Sequence, residues 1–225
     1  MKPRPRRWLQ ATIVCVFLFG VLPTILVLPW RWIDPPTSSF ISRARSEGFD
    51  VHQDWVDLDQ MSPFLPIAVV AAEDQNFPHH LGFDIESIRS ALGEDRPRQR
   101  GASTLSQQVA KNLFLWPRQS WFRKGLEAYV TAFIEFLWPK RRILEIYLNI
   151  AEFGPGVFGA EAAARRFFGQ PAKNVTARQA AILAAVLPNP KHLSAAKPTR
   201  HVEERVAWIL RQMKQLGGPA YLEAI

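Results

Sequence analysis

Glu73 is the residue of this sequence best placed for acid–base chemistry. It follows the apolar run at positions 67–72, which predicts a buried helix that ends near this carboxylate. A negative charge at the carboxyl end of a helix is disfavoured by the helix dipole, so we expect a raised pKa for Glu73. A carboxyl group of that kind is a candidate general acid or base. A solvated turn without chemical function fits the local pattern equally well.

His79, His80 and Asp84 follow in the same segment and could suggest a metal site. Nothing else in the sequence supports one, and structural roles for these residues are favoured on pattern alone. The single cysteine, Cys15, excludes both a cysteine-based zinc site and an internal disulfide.

A second polar cluster lies at the start of a predicted helix at 103–115. The small residues that open this helix leave backbone N–H groups free, and such a helix N-terminus can hold an anion. The side chains that follow carry hydrogen-bond donors suited to sugars and phosphates: Gln107, Gln108, Lys111 and Asn112. By itself this pattern is weak evidence for a binding site, because helices commonly carry one polar face.

Two further clusters combine cations with a carboxylate. In the first, Arg123 and Lys124 precede Glu127, and the spacing puts Lys124 and Glu127 on one helix face. The second runs from Lys140 to Asn149. The alternative for either is an exposed ion pair that contributes roughly a few tenths of a kcal/mol.

Helical periodicity accounts for most of the chain that must position these clusters. Predicted helices cover 64–75, 85–92, 103–115, 120–137, 140–149, 159–168, 176–187 and 199–216. Ser62, followed by Pro63, and Thr176 are predicted N-caps. No run alternates with strand periodicity over a useful length, so the expected fold is one mostly α domain.

The chain of 225 residues begins with a basic tail and a long apolar segment. Four of the cations behind its net charge of +8 lie in residues 1–7, whereas residues 8–30 carry no charge. This segment is long enough to cross a bilayer, and Trp8, Trp30 and Trp32 are placed as interface anchors. A cleaved signal peptide is the alternative, but the apolar run is longer than usual and no A-x-A-like site directly follows it.

We therefore predict a cytoplasmic basic tail at 1–7, a transmembrane signal-anchor helix at 8–32, a linker and lead-in at 33–57, and a folded domain at 58–225. Basic residues ahead of the helix predict a cytoplasmic N-terminus, with the domain on the outer face of that membrane. This location and the modest remaining charge of +4 disfavour nucleic-acid binding.

Together the four clusters resemble the motifs of the family-51 glycosyltransferases, the peptidoglycan transglycosylases. Those enzymes carry E-D-x-x-F-x-x-H-x-G, G-[GA]-S-T-x-x-Q-Q-x-x-K-N, R-K-x-x-E and K-x-x-I-L-E-x-Y-L-N, in that order. The matching segments here are 73–82, 101–112, 123–127 and 140–149, and the resemblance covers roughly residues 58–190. Two departures are Ala102, in place of a commoner glycine, and Arg142, where many members carry an acid.

The resemblance implies a lysozyme-like multi-helix domain that polymerises lipid II with inversion, forming β-1,4 bonds and releasing polyprenyl pyrophosphate. It implies that Glu73 is the catalytic base and that Lys124 and Glu127 stabilise the pyrophosphate and the oxocarbenium-like centre. Substrate-binding roles are expected for His80, Ser103, Thr104, Gln107, Gln108, Lys111, Asn112, Arg123, Lys140 and Asn149, the last two mixed with scaffold roles. No organic cofactor is expected, but a divalent cation, Mg²⁺ or Mn²⁺, could act through Glu127.

The expected partners are lipid II, the growing glycan strand, the membrane, and cell-division or elongation machinery. The expected location is the bacterial inner membrane, with a single span and the catalytic domain on the periplasmic face. Segment 113–123 interleaves aromatic residues with arginines, so Trp116, Trp121 and Phe122 could dip into the membrane interface and admit a lipid tail. An ordinary core loop is the alternative.

Two rival functions come from other classes. A lysozyme-like enzyme that cleaves peptidoglycan would need an acid and usually a second carboxylate about the scissile bond, but not the arginine and lysine groups found here. A non-catalytic membrane scaffold would not need Glu73 and Glu127 in these settings.

Overall fold

The computed structural model describes residues 5–85, 89, 103–118 and 120–225. Most of the predicted helix at 85–92, and the motif residues Gly101 and Ala102, lie outside this described part of the chain.

A continuous helical segment of 24 residues, Trp8–Arg31, is long and apolar enough to cross a membrane, and its most apolar stretch of 18 residues has a mean hydropathy of 2.6. We call it the anchor helix. It consists of α1 (Pro5–Val16) from Trp8 onward, a π-helical turn (Phe17–Val21), α2 (Leu22–Val27) and a 3₁₀ turn (Leu28–Arg31). Only 6% of its most apolar window is buried, and Cys15 is exposed on it. These features fit a single-pass membrane anchor.

The rest of the described chain is mostly helical, which confirms the mostly α prediction. Its helices are α3 (Ser39–Ser46), α4 (Phe64–Glu73), α5 (Leu105–Phe114), α6 (Trp121–Leu137), α7 (Lys140–Ile150), α8 (Ala160–Phe168), α9 (Ala177–Val186) and α10 (Arg200–Gln215). Apart from the helix at 85–92, each predicted helix lies within two residues of its predicted bounds. Helix α3, within the segment predicted as linker and lead-in, was not predicted.

Capping explains where several helices begin. Thr104 and Thr176 each form a capping box with the glutamine three residues later, which confirms the predicted cap at Thr176. The predicted cap at Ser62 was wrong. The first helical residue of α4 is Phe64, so the N-cap position is held by Pro63. The Ser62 hydroxyl instead accepts a bond from the Phe64 N–H at 3.4 Å.

Two apolar helices form the centre of the domain. Residues 65–71 of α4 and 180–186 of α9 are all buried, as expected for helices that are apolar on every side. Helix α9 packs against α4 and α10, whereas α5 packs against α6 and α7. Helices α4 and α5 belong to different groups, and the N–H of Leu105, the first residue of α5, donates to Asp74 at the carboxyl end of α4.

A small sheet joins the lead-in to the domain. Its strands are β1 (His52–Gln53), β2 (Glu152–Gly154) and β3 (Val157–Phe158), in the order β1-β3-β2. Strand β3 pairs in parallel with β1 and antiparallel with β2, with His52 opposite Val157. Strands this short cannot show alternation in the sequence, so they were not predicted.

Asn149 holds the lead-in against α7. The fully buried side chain accepts the Val56 N–H at 2.9 Å and donates to the carbonyls of Val56 and Glu145, both at 2.9 Å. These three bonds use its amide within the protein, which supports the scaffold part of its expected role.

We predict that Asn149→Ala lowers the free energy of unfolding by roughly 1–3 kcal/mol, because it leaves the Val56 backbone groups without partners. Thermal unfolding followed by circular dichroism in detergent measures this as a lower midpoint. Asn189→Ala, the same change at an exposed position, is the matched control and should have little effect. Equal midpoints for both variants would contradict the scaffold role.

Candidate active site

Asp74 connects the two helix ends that carry the site. Its carboxylate lies 3.0 Å from Nε2 of His80 and accepts the N–H of Leu105, the first residue of α5, at 2.9 Å. A carboxylate at a helix N-terminus is stabilised by the free N–H groups and the helix dipole there. The first two motifs are thereby joined into one structure.

Gly82 provides a second connection between these motifs. Its carbonyl accepts the Thr104 hydroxyl at 2.7 Å, and its N–H donates to Nδ1 of His80 at 3.0 Å. With φ at +86°, a Cβ here would also lie only 2.8 Å from the Glu135 side chain and 2.9 Å from that of Thr131. Only glycine fits this position without strain.

Glu73 ends α4 beside this junction, and its side chain is 15% exposed. Oε2 of Glu73 accepts a hydrogen bond from Nε2 of Gln108 at 3.1 Å, and Oε1 of Glu73 lies 3.3 Å from Nη2 of Arg205. Burial raises the pKa of Glu73, while the Gln108 hydrogen bond and the charges of Arg205 and Lys111 partly oppose that rise. The expected direction is confirmed, but desolvation is the largest cause, rather than the helix dipole from which it was inferred.

A pocket of about 260 Å³ opens next to Gln108. It is lined by Phe40, Ser103, Gln107, Gln108, Lys111, Pro117, Arg123, Lys124 and Glu127. Three cations and one carboxylate give this lining a net charge of +2. The pocket therefore suits an anionic group, and Gln108 connects it to Glu73, which lies outside the lining.

Glu127 is held by two cations of the same pocket. Oε2 accepts Nη1 of Arg123 at 2.6 Å, Oε1 pairs with Nζ of Lys124, and the Glu127 side chain is only 3% exposed. The predicted shared face of Lys124 and Glu127 is thus confirmed. Lys124 also donates to the Ser103 hydroxyl at 3.3 Å, which ties α6 to the start of α5.

The donor set around Glu127 does not fit a divalent ion held by the protein. Both carboxylate oxygens are paired with cations, and within the described ranges no group of three histidine, cysteine, aspartate or glutamate side chains could hold a metal. Participation of Mg²⁺ or Mn²⁺ through Glu127 stays a prediction, which an assay in EDTA followed by metal addition tests.

Several predicted substrate residues have structural partners instead. His80 is buried with both ring nitrogens engaged, and Thr104 is a buried helix cap. Lys140 pairs with Glu135 at 2.8 Å and lies over the Phe77 ring. For His80, these contacts favour the structural role that the sequence pattern alone had indicated. For Lys140, they favour the scaffold part of its expected role.

Asn112 differs from these residues because its side-chain oxygen has no structural partner in the described part of the chain. Its Oδ1 atom is buried and has no hydrogen-bond partner among the described residues. Of the predicted set, Ser103, Gln107, Gln108, Lys111, Arg123, Lys124 and Glu127 meet at the pocket.

Two residues of the site were not predicted. Arg205 reaches Glu73 from α10, and Phe40 of α3 lines the pocket. Tyr147, in the cluster at 140–149 for which mixed substrate-binding and scaffold roles were expected, donates from its hydroxyl to Oε1 of Gln108 at 3.2 Å. Arg205 lies 132 positions from Glu73, in a helix with no recognisable motif, so no sequence signal marked it.

The three predicted membrane residues are all exposed. Trp121 is 93% exposed, Phe122 72% and Trp116 41%, so the alternative of an ordinary core loop does not hold. Phe136, farther along α6, is also 86% exposed. The side of α6 away from the pocket thus presents large apolar side chains to the surroundings.

Comparison with known proteins matches residues 40–214 to the family model described as Transglycosylase. The chain is 51% identical to the biosynthetic peptidoglycan transglycosylase of Xanthomonas campestris pv. campestris strain B100, over 98% of this chain and 94% of that protein. It is 48% identical to the protein of the same name from Xylella fastidiosa strain M12, over 96% and 93% of the two chains. The matched domain is lysozyme-like, which confirms the expected fold class.

We predict that Arg205→Gln raises the pKa of Glu73 further, because it removes a nearby positive charge. Carbon-13 NMR titration of labelled glutamate carboxyl groups measures the change, with Glu73→Gln identifying the resonance. The matched control is Arg200→Gln on the same helix, since Arg200 pairs with Glu204 at the surface. A wild-type midpoint at or below the ordinary glutamate value, or a lower midpoint in Arg205→Gln, would contradict the electrostatic description of the site.

Proposed function

The chain belongs to the transglycosylase family, and from this membership we propose that it is a peptidoglycan glycosyltransferase that polymerises lipid II into β-1,4 glycan strands. One observation carries the mechanism: Gln108 joins a desolvated carboxylate, Glu73, to a pocket with a net charge of +2. A base and an anion site are what the transfer of a sugar from a pyrophosphate requires.

Glu73 acts as the base in this mechanism. Its carboxylate accepts the proton of the acceptor 4-hydroxyl while that oxygen attacks the anomeric carbon of the donor sugar. The bond from that carbon to the pyrophosphate oxygen breaks, and attack from the opposite side inverts the configuration. A carboxylate whose pKa is raised by burial is a stronger base than an ordinary glutamate.

Lys111, Arg123 and Lys124 receive the pyrophosphate. Arg123 and Lys124 are already fixed by Glu127, so their charges are oriented before the substrate binds. Burial lowers the pKa of Lys111, while the negative charge of Glu127 partly restores it. A bound pyrophosphate would favour the charged form of Lys111 for the same electrostatic reason.

The two rival functions fit this geometry less well. A glycan-cleaving enzyme usually needs a second carboxylate that is free to act near the scissile bond. Glu127, the carboxylate of the pocket, is instead paired with Arg123 and Lys124. A non-catalytic scaffold has no use for a desolvated Glu73 beside a cationic pocket.

Contact with the bilayer follows from the position of α6. The Tyr129 hydroxyl of α6 donates to the Phe19 carbonyl of the anchor helix. Phe19 lies about 18 Å along the helix from Arg31, at a rise of about 1.5 Å per residue. An anchor helix that spans the roughly 30 Å hydrocarbon layer therefore brings the apolar side of α6 to the membrane. We propose that Trp116, Trp121 and Phe122 contact lipid there.

The orientation of the protein is part of this proposal. The basic residues ahead of the anchor helix favour a cytoplasmic N-terminus, which puts the catalytic domain on the periplasmic face of the inner membrane. Lipid II and the growing strand are the proposed substrates on that face, and association with cell-division or elongation machinery stays a prediction.

We predict that Glu73→Gln lowers polymerisation by about 10² or more, because the amide cannot accept the proton. Purified wild type and variant are given fluorescent lipid II, and the products are separated by size before and after muramidase digestion. Glu203→Gln, an equivalent change on the surface of α10, should keep wild-type activity. Cleavage of finished glycan by wild type, without a polymer ladder, would favour the hydrolytic rival.

We predict that residue 122 lies in lipid in the intact membrane-bound protein. Because Cys15 is the only cysteine, Cys15→Ala permits labelling of Phe122→Cys with an environment-sensitive fluorophore in proteoliposomes. Its emission should shift to the blue and be quenched by spin-labelled lipid. Arg200→Cys, on an exposed part of α10, is the control and should show neither effect. Equal quenching at the two positions would contradict the membrane contact.

A further inference from the structure

The anchor helix contains a proline, Pro23, and the domain donates a hydrogen bond to the backbone carbonyl that this proline affects. Pro23 has no N–H, so the Phe19 carbonyl, four residues earlier, lacks its ordinary α-helical donor. The helix forms a π-helical turn at Phe17–Val21, immediately ahead of this proline. The Tyr129 hydroxyl of α6 donates to the same Phe19 carbonyl. In the apolar layer of a membrane, a carbonyl without a hydrogen-bond donor is strongly destabilising. This hydrogen bond therefore stabilises the helix more there than it would in water.

The exit end of the anchor helix is held by a second contact. Arg142 of α7 donates from Nε to the Trp30 carbonyl and from Nη2 to the Ile33 carbonyl, both at 2.9 Å. It also pairs with Asp34 at 2.9 Å and with Glu145. The last carbonyls of a helix have no partners within it, and a cation near them is favoured by the helix dipole. The Arg142 side chain is 10% exposed, so little water competes for these bonds.

Two further contacts lie near the carboxyl ends of the two helices. Nε1 of Trp138 donates to the Val27 carbonyl at 3.0 Å, and Nη1 of Arg31 donates to the Leu137 carbonyl at 2.6 Å. The anchor helix thus contacts α6 near Phe19, through Tyr129, and again at Arg31, through the Leu137 carbonyl. The two helices run alongside each other in the same direction.

We propose that Tyr129 and Arg142 are positioning residues that dock the anchor helix to the domain, so that the height and angle of the candidate site relative to the bilayer are fixed. The anchor is then a fixed support rather than a flexible tether. Arg142 stands where many members of the family carry an acid, and an acid could not donate to the Trp30 and Ile33 carbonyls. This contact is therefore set by the residue that this chain has at that position.

Docking is tested directly by distance. In the Cys15→Ala background, spin labels are placed at Ile25→Cys, which is exposed on the anchor helix, and at Lys173→Cys, which is exposed on the domain. Electron–electron resonance in lipid nanodiscs should give one narrow distance distribution. Arg142→Gln and Tyr129→Phe should each broaden it, whereas Arg141→Gln should not, because Arg141 pairs with exposed Asp59 instead. An unchanged distribution in both variants would overturn the proposal.

The Pro23 interaction has its own signature. Pro23→Ala returns an N–H donor to the Phe19 carbonyl, so the Tyr129 hydroxyl is no longer needed there. Tyr129→Phe should then broaden the distribution in the wild-type background and have no further effect in the Pro23→Ala background. Equal effects in both backgrounds would show that the hydroxyl does not act through this carbonyl.

The consequence for catalysis rests on the proposed function, and it is measured separately. Arg142→Gln should raise the KM for lipid II several-fold in bilayers with little change in kcat, and should act like wild type in detergent micelles, where no bilayer fixes the height of the substrate. A loss of docking with no change of KM in bilayers would overturn the positioning role. Absence of glycan synthesis by wild type would overturn the proposed function instead, and the distance measurements would still decide on docking.

Discussion

The buried carboxylate of Asp74 fixes the arrangement of the site. Its side chain is only 2% exposed, and a buried carboxylate is tolerated only when its oxygens are paired. The partners come from His80 and from the first N–H of α5, 31 positions along the chain. The end of α4 must therefore meet the start of α5. Since Glu73 is the neighbouring residue, its position against Gln108 follows from how Asp74 is satisfied.

The two carboxylates of the site are given opposite environments by the same helices. Glu73 is desolvated and has one amide and a partly exposed arginine as its partners, so burial prevails and its pKa is raised. Glu127 is buried and forms ion pairs with two cations, Arg123 and Lys124. Two carboxyl groups in such different environments are suited to different roles in catalysis. One is suited to accept a proton, and the other to hold cations in place for an anionic substrate.

Local signals in the sequence were sufficient for the helices and for the motif clusters. Periodicity and caps such as Thr176 depend on residues three or four apart, and they placed every domain helix that the structure describes within two residues, except α3, which was not predicted. Contacts between distant segments left no such signal. Arg205 near Glu73 and Phe40 at the pocket were therefore missed. For Lys140 and His80 the residue types were recognised, but their partners, Glu135 and Asp74, could be assigned only from the tertiary structure.

Helix α6 joins the chemistry to the membrane because its two faces differ. Arg123, Glu127, Thr131 and Ile134 recur at helical spacing and are buried towards the domain, where the first two line the pocket. Trp121, Phe122 and Phe136 point away and are exposed. A substrate that carries a pyrophosphate on a lipid tail needs a cationic pocket within reach of an apolar layer. One amphipathic helix meets both needs only if its rotation and height relative to the bilayer are fixed, and contacts to the anchor helix from Tyr129 to Leu137 supply that constraint.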